Sequence, residues 1–160
     1  MIFVLMRVVV WATLFVGVVL WAMPAQILAA AGIRAPASFG ASQAVGVVLG
    51  VVGLALAATC VATFAFLGRG TPAPFDPPRR LVVRGPYRVV RNPMYLGATL
   101  YLAGFALFYR SAGAALYAVA FLVITHSFVV LYEEPTLRRT FGRDYDEYCQ
   151  RAGRWWPTSR

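Results

Sequence analysis

The sequence predicts an all-α integral membrane protein of about four transmembrane helices, the last two forming a C-terminal hairpin flanked by a cytoplasmic loop and an amphipathic tail helix. Three observations predict it. Hydrophobic residues make up 60% of the chain and charged residues only 13%, with a mean hydropathy of +0.67, well above a soluble domain. Two apolar runs exceed the length of about 20 residues that spans a hydrocarbon core. The 15 basic residues, all arginine, and the 6 acidic ones gather in a few stretches between the runs.

Residues 2–23 are apolar apart from Arg7 and Thr13. A secretory signal would have a shorter apolar run, so a retained span is expected. Residues 44–67 form the second span. It carries Gly46, Gly50, Gly53 and Ala57, a spacing that lets another helix approach closely, within the bundle or in a homo-oligomer through the same face. Residues 94–109 give a shorter third span and residues 114–132 a fourth, joined by a tight turn at Arg110, Ser111, Ala112 and Gly113.

Arginine counting orients the spans. Six arginines lie between spans two and three and six follow span four, whereas residues 24–43 hold only Arg34 and the hairpin turn only Arg110. Both termini, the central loop and the tail are therefore expected in the cytoplasm, in a bacterial-type cytoplasmic membrane. A pI near 10.4 in a soluble protein would suggest nucleic acid, but arginines flanking apolar spans answer to lipid headgroups instead. Cys60 sits in an apolar run and Cys149 in the polar tail, so no disulfide is expected between them.

Pro72, Pro74, Pro77 and Pro78 make residues 68–78 an extended, stiff connection. Asn92 followed by Pro93 is a favoured N-cap and first helical residue, so span three begins there. Its free N–H groups, beside Arg88 and Arg91, make an anion site. Taken alone, the same residues read more simply as a cap with positive-inside arginines. Span four closes on Glu133, Glu134 and Pro135, and proline is expected to stop the helix at the glutamates. An antiparallel hairpin then sets both carboxylates at the level of Asn92. Acidic charge at a helix C-terminus calls for a cation, either Arg88, Arg91 or Arg138, or a ligand.

Leu137, Phe141, Tyr145, Tyr148 and Ala152 form a helical stripe in the tail, with Gly142 as a break. Trp155 and Trp156 suit headgroup anchoring or a lid over a site. His126, between Thr125 and Ser127, lies seven residues before Glu133 and so on roughly the same helix face. A polar residue in a span is a functional candidate or an interhelical hydrogen-bonding group. A single histidine without Cys, Asp or Glu neighbours is no metal site.

Residues 81–97 (L-V-V-R-G-P-Y-R-V-V-R-N-P-M-Y-L-G), with E-E-P-T-L from Glu133 and F-G-R-D-Y-D-E-Y from Phe141, resemble the superfamily of isoprenylcysteine carboxyl methyltransferases and phospholipid methyltransferases. Its pattern is a Gly-x-Tyr, then Arg-His-Pro-x-Tyr opening a membrane helix, a hairpin, a Glu-Glu pair and a tail helix. The resemblance runs from about Arg79 to Pro157.

Residues 1–67 are expected to form two N-terminal transmembrane helices, and the resemblance implies that residues 68–160 are a methyltransferase-like catalytic core, made of a loop (68–92), a transmembrane hairpin (93–132) and a cytoplasmic tail (133–160). It implies S-adenosylmethionine as cofactor and a lipophilic acceptor entering sideways from the bilayer. The residues matching its cofactor contacts are Arg79, Arg80, Leu81, Val82, Tyr87, Arg91, Asn92, Pro93, Met94, Tyr95 and Glu133, and His126 and Val129 stand on the acceptor side.

Two positions depart from the pattern. Asn92 replaces histidine and cannot titrate near neutral pH, so no catalytic base is assigned. Val129 stands where carboxylate-methylating relatives place an arginine, which opens the acceptor to amines, hydroxyls or thiols. Two other readings fit the sequence: a sterol-reductase-like oxidoreductase using NADPH, and a non-catalytic module that binds lipid or a partner.

Overall fold

The computed structural model describes Val10, residues 13–63 and residues 81–158, and every regular element among them is helical. The first helix, α1 (Phe15–Ala30), does not stop at Met23 as expected but passes through Pro24. Proline has no N–H to give and its ring crowds the carbonyl of the preceding turn. Here the turns of Phe15–Ala22, just before it, are wide, with π-type bonding, and the widened backbone absorbs the mismatch. The Tyr117 hydroxyl donates to the Val19 carbonyl inside that stretch at 2.9 Å.

Helix α2 (Ala41–Thr63) has 23 residues, about 34 Å at 1.5 Å per residue. Buried Gln43 ties its start to the end of the next helix. The Gln43 Nε2 donates to the Phe108 carbonyl at 3.2 Å while its Oε1 accepts from the Gly40 N–H at 3.0 Å. Helix α3 (Pro93–Tyr109) has 17 residues and runs antiparallel to α2 along a seam without side chains. A Cβ at Gly46 would lie 2.6 Å from the Gly104 carbonyl oxygen, and one at Gly53 would lie 2.5 Å from that of Gly97. The relation is reciprocal: a Cβ on Gly97 or Gly104 would strike α2 backbone at Gly53 or Gly46. Glycine alone permits this approach. Gly50 is different, since its nearest neighbour is a Tyr101 ring carbon at 4.0 Å. The glycine face of α2 is thus filled by α3.

At the hairpin turn Arg110 takes φ 52, a left-handed conformation that ends α3. Ser111 then caps the next helix, its Oγ accepting from the Ala114 N–H at 3.2 Å. Helix α4 (Ala112–Phe141) runs for 30 residues, through the point where Pro135 was expected to end it. The reason repeats that of α1: Val129–Glu133 form a wide stretch in which the Glu134 N–H bonds to the Val129 carbonyl, and Pro135 then sits in the first turn of the segment that follows. Gly142, at φ 51, makes the corner into α5 (Arg143–Arg151).

Leu20, Ala98, Leu102, Ala118 and Phe121 form the core where α1, α3 and α4 meet. Outside it the helices are apolar and exposed, with Val48, Val52, Leu116, Ile124 and Leu131 all facing outward. A surface of that kind is solvated by lipid. Two helices, α2 and α4, are long and apolar enough to cross a membrane, while α1 and α3 are shorter apolar helices. The bundle has two ends: Gln43, Phe108 and the hairpin turn share one, and the start of α3, Glu133 and α5 share the other.

Candidate functional site

The second end is polar, and local sequence builds it. Gly85 holds φ 58, a value suited to glycine, and with Pro86 it forms a short turn, Gly85–Arg88, that buries Tyr87. Tyr87 packs with Val82 and Cys60, and Met94 packs against that group. The Tyr148 hydroxyl of α5 donates to the Tyr87 carbonyl at 2.7 Å. Burial pushes the phenols of Tyr87 and Tyr148 well above their ordinary range, so both stay protonated donors.

Asn92 and Pro93 open α3 as expected, and both are buried. The Asn92 side chain, however, does not cap the helix. Its Nδ2 donates to the Arg154 carbonyl at 3.2 Å, leaving the first-turn N–H groups without a side-chain acceptor. One turn inward, the Tyr95 hydroxyl lies 3.4 Å from Glu133 Oε2. The start of α3 and the glutamates of α4 therefore meet at one end of the bundle.

The twin glutamates serve different ends. Glu134 is buried and held by arginines: Arg154 grips it with Nε at 2.7 Å and Nη2 at 2.9 Å, and Arg91 Nη1 stands at 3.4 Å. The fork-on-carboxylate geometry is the strongest such pairing. Of the cations expected there, Arg91 is present. Arg138 turns instead to Asp146, at 2.9 Å. Arg154 was not foreseen; nothing in its local sequence marks it, because a fold-back of the tail delivers it. The Arg91 N–H bonds to the Gly153 carbonyl at 2.8 Å, and a Cβ on Gly153 would collide with the Trp156 carbonyl oxygen.

Glu133 has no cation beside it among the described residues; its hydrogen-bond partner is Tyr95. Arg91 Nε, conversely, is buried with no hydrogen-bond partner among them. A spare buried donor by an open helix start and a spare carboxylate nearby suit a zwitterion. A ligand carrying both a carboxylate and an ammonium would satisfy each.

Arg79 and Arg80 lie outside the described residues. Leu81 packs against the Tyr145, Tyr148 and Ala152 cluster, with Leu137 and Phe141 of the predicted stripe. Val129 is completely buried. His126 is exposed, its Nδ1 accepting from Trp155 Nε1 at 3.0 Å, while Glu133 turns inward to Tyr95. The wide turns of Val129–Glu133 lie between them and rotate the register by about one residue, so the spacing of seven does not keep them on one face.

Exposed apolar helices, with arginine, tyrosine and glutamate gathered at one end, define a membrane protein with a polar cluster at that end. The model of the phospholipid methyltransferase family matches residues 41–144, and the chain belongs to that family. The probable protein-S-isoprenylcysteine O-methyltransferase of Oryza sativa subsp. japonica is 32% identical over 81 residues, 49% of this chain and 41% of its own length. Protein-S-isoprenylcysteine O-methyltransferase B of Arabidopsis thaliana is 35% identical over 76 residues, 46% of this chain and 37% of its own. The chain thus spans about two fifths of the length of these relatives. No solved structure matches it significantly.

Proposed function

We propose that the chain is a membrane methyltransferase that carries a methyl group from S-adenosylmethionine to a lipophilic or small hydrophobic acceptor. The observation that carries the reading is the meeting of the open α3 start, Arg91, Tyr87, Tyr95 and Glu133 at one end of the bundle. When bound, S-adenosylmethionine supplies a sulfonium methyl open to in-line displacement. Arg91 and the first-turn N–H groups of α3 would hold its carboxylate. Glu133 would take its ammonium or ribose hydroxyls, with Tyr95 fixing the carboxylate. Tyr87 and Tyr95 would pack against adenine. Arg79, Arg80, Leu81, Val82, Asn92, Pro93 and Met94 complete the set on the strength of the family pattern.

Catalysis is then positioning and exclusion of water: the sulfonium leaves as a neutral thioether and its charge passes to the acceptor, where an anionic acceptor cancels it, a change that a dry site favours. An amine, hydroxyl or thiol suits the acceptor position as readily as a carboxylate. Val129 is aliphatic and fully buried, so it offers a carboxylate no cation, and His126 stands outward under Trp155. The arginine-rich end faces the cytoplasm by the arginine distribution, with four spans and both termini inside.

Calorimetry of detergent-purified protein with S-adenosylhomocysteine tests the reading, with saturable binding and competition by S-adenosylmethionine expected. Absence of binding, or NADPH binding with indifference to S-adenosylhomocysteine, overturns it.

A further inference from the structure

At the opposite end of the bundle a groove of about 520 Å³ runs between α3 and α4 toward the hairpin turn. Small residues open it: Thr99, Ala103 and Ala106 on α3 face Ala115 and Ala118 on α4, with Arg110 at the turn. From Thr99 to Arg110 the helix rises about 16 Å, the reach of a long acyl chain. Arg110 is exposed, and its side chain makes no hydrogen bond or ion pair with any described residue. It also holds φ 52, where glycine would sit without strain. No carboxylate among the described residues answers it, because Glu133, Glu134, Asp144, Asp146 and Glu147 all lie at or beyond the far end of α4.

We infer that this groove is a site for an anionic phospholipid, one acyl chain lying along the alanines and the phosphate on Arg110. An unanswered cation at the mouth of an apolar groove complements an amphiphile with a negative head. The site belongs to the leaflet opposite the Glu133 cleft and is separate from the methyl-transfer site. The inference rests on the membrane-spanning reading and not on the cofactor.

Native mass spectrometry of the full chain, released from micelles with equal phosphatidylglycerol and phosphatidylcholine, tests it. One phosphatidylglycerol should be retained with about a fivefold preference, the worth of one arginine near a phosphate. Arg110→Gln should abolish the preference without abolishing lipid retention, and Ala115→Phe, which fills the groove, should reduce retention of both lipids. Arg110→Gly should raise the unfolding temperature by relieving the left-handed strain and still lose the preference. Equal retention of the two lipids by the unmodified protein, or an unchanged preference in Arg110→Gln, overturns the proposal. S-adenosylhomocysteine binding, measured on the same samples, reports the cofactor reading independently.

Discussion

The α2–α3 seam and the clasp around Glu134 fix the molecule by opposite means. Along the seam geometry comes from missing side chains, with Gly46 against Gly104 and Gly53 against Gly97 bringing backbone to backbone. Lipid tails are as apolar as any side chain, so helices in a bilayer gain from close contact and not from hydrophobic exclusion. At the clasp, charge does the fixing: Arg154 and Arg91 converge on one buried carboxylate, joining the loop before α3, the end of α4 and the tail. The seam is a rigid scaffold, whereas the clasp holds the tail as a cover on the start of α3.

The largest effect belongs to the seam. Gly53→Leu would force side chain into the Gly97 carbonyl and the Tyr101 N–H, and overpacking against backbone should cost about 3 kcal/mol or more. Cooperative unfolding in detergent and S-adenosylhomocysteine binding should both be lost. Gly50→Ala is the control, since its Cβ would meet only the Tyr101 ring at an ordinary contact distance of 4.0 Å, with a helix-propensity gain of about 0.5–1 kcal/mol. If the two variants melt alike, close packing is not what joins α2 to α3.

Glu134→Gln comes next. It leaves Arg91 and Arg154 facing a neutral amide. Breaking a fully buried pair costs about 3–5 kcal/mol, but the Arg154 side chain is 35% exposed, so about 2 kcal/mol is expected here. The loss should be local. Hydrogen exchange should speed up across residues 143–156 while the α2–α3 amides stay protected, and uniform acceleration would show that clasp and seam are one cooperative unit.

The contrast also separates what the sequence discloses from what it hides. Gly46, Gly53 and Ala57 are legible because helical spacing alone puts them on one face. The start of α3 at Asn92 and Pro93 is legible because a first-turn proline acts locally, although the Asn92 side chain goes to the Arg154 carbonyl and not to the cap, and Glu133 is legible because the hairpin is antiparallel. Pro135 misleads because the proline rule considers only the adjoining backbone, and wide turns upstream let α4 continue, as those before Pro24 do in α1. Those turns also undo the expected alignment of His126 with Glu133. Arg154 is illegible because its place depends on the docking of Gly153 against Arg91, a long-range contact that no short motif encodes.

Glu133→Gln sharpens the comparison inside one dipeptide. Glu133 has no cation beside it among the described residues, so neutralising it should leave the unfolding temperature unchanged or slightly raised. Affinity for S-adenosylhomocysteine should fall about tenfold, the loss of one charge-assisted contact. A variant that unfolds like Glu134→Gln and binds normally would reverse the roles assigned to the pair.

The smallest expected effect tests whether the cover has a second hold. Trp155 Nε1 donates to His126 Nδ1 at 3.0 Å, with the rings 6.0 Å apart. Trp155→Phe keeps the ring but removes the donor, at a cost of about 0.5–1 kcal/mol for an exposed hydrogen bond. That is too little to undock a tail still gripped through Glu134, so tail exchange should quicken only a few-fold. Combined with Glu134→Gln, the two losses should add at every tail amide if both contacts hold one rigid cover, whereas amides beside Trp155 should respond to Trp155→Phe alone if the tail frays from Trp155 inward. A double-mutant cycle on tail exchange therefore decides whether the cover opens as a flap or peels.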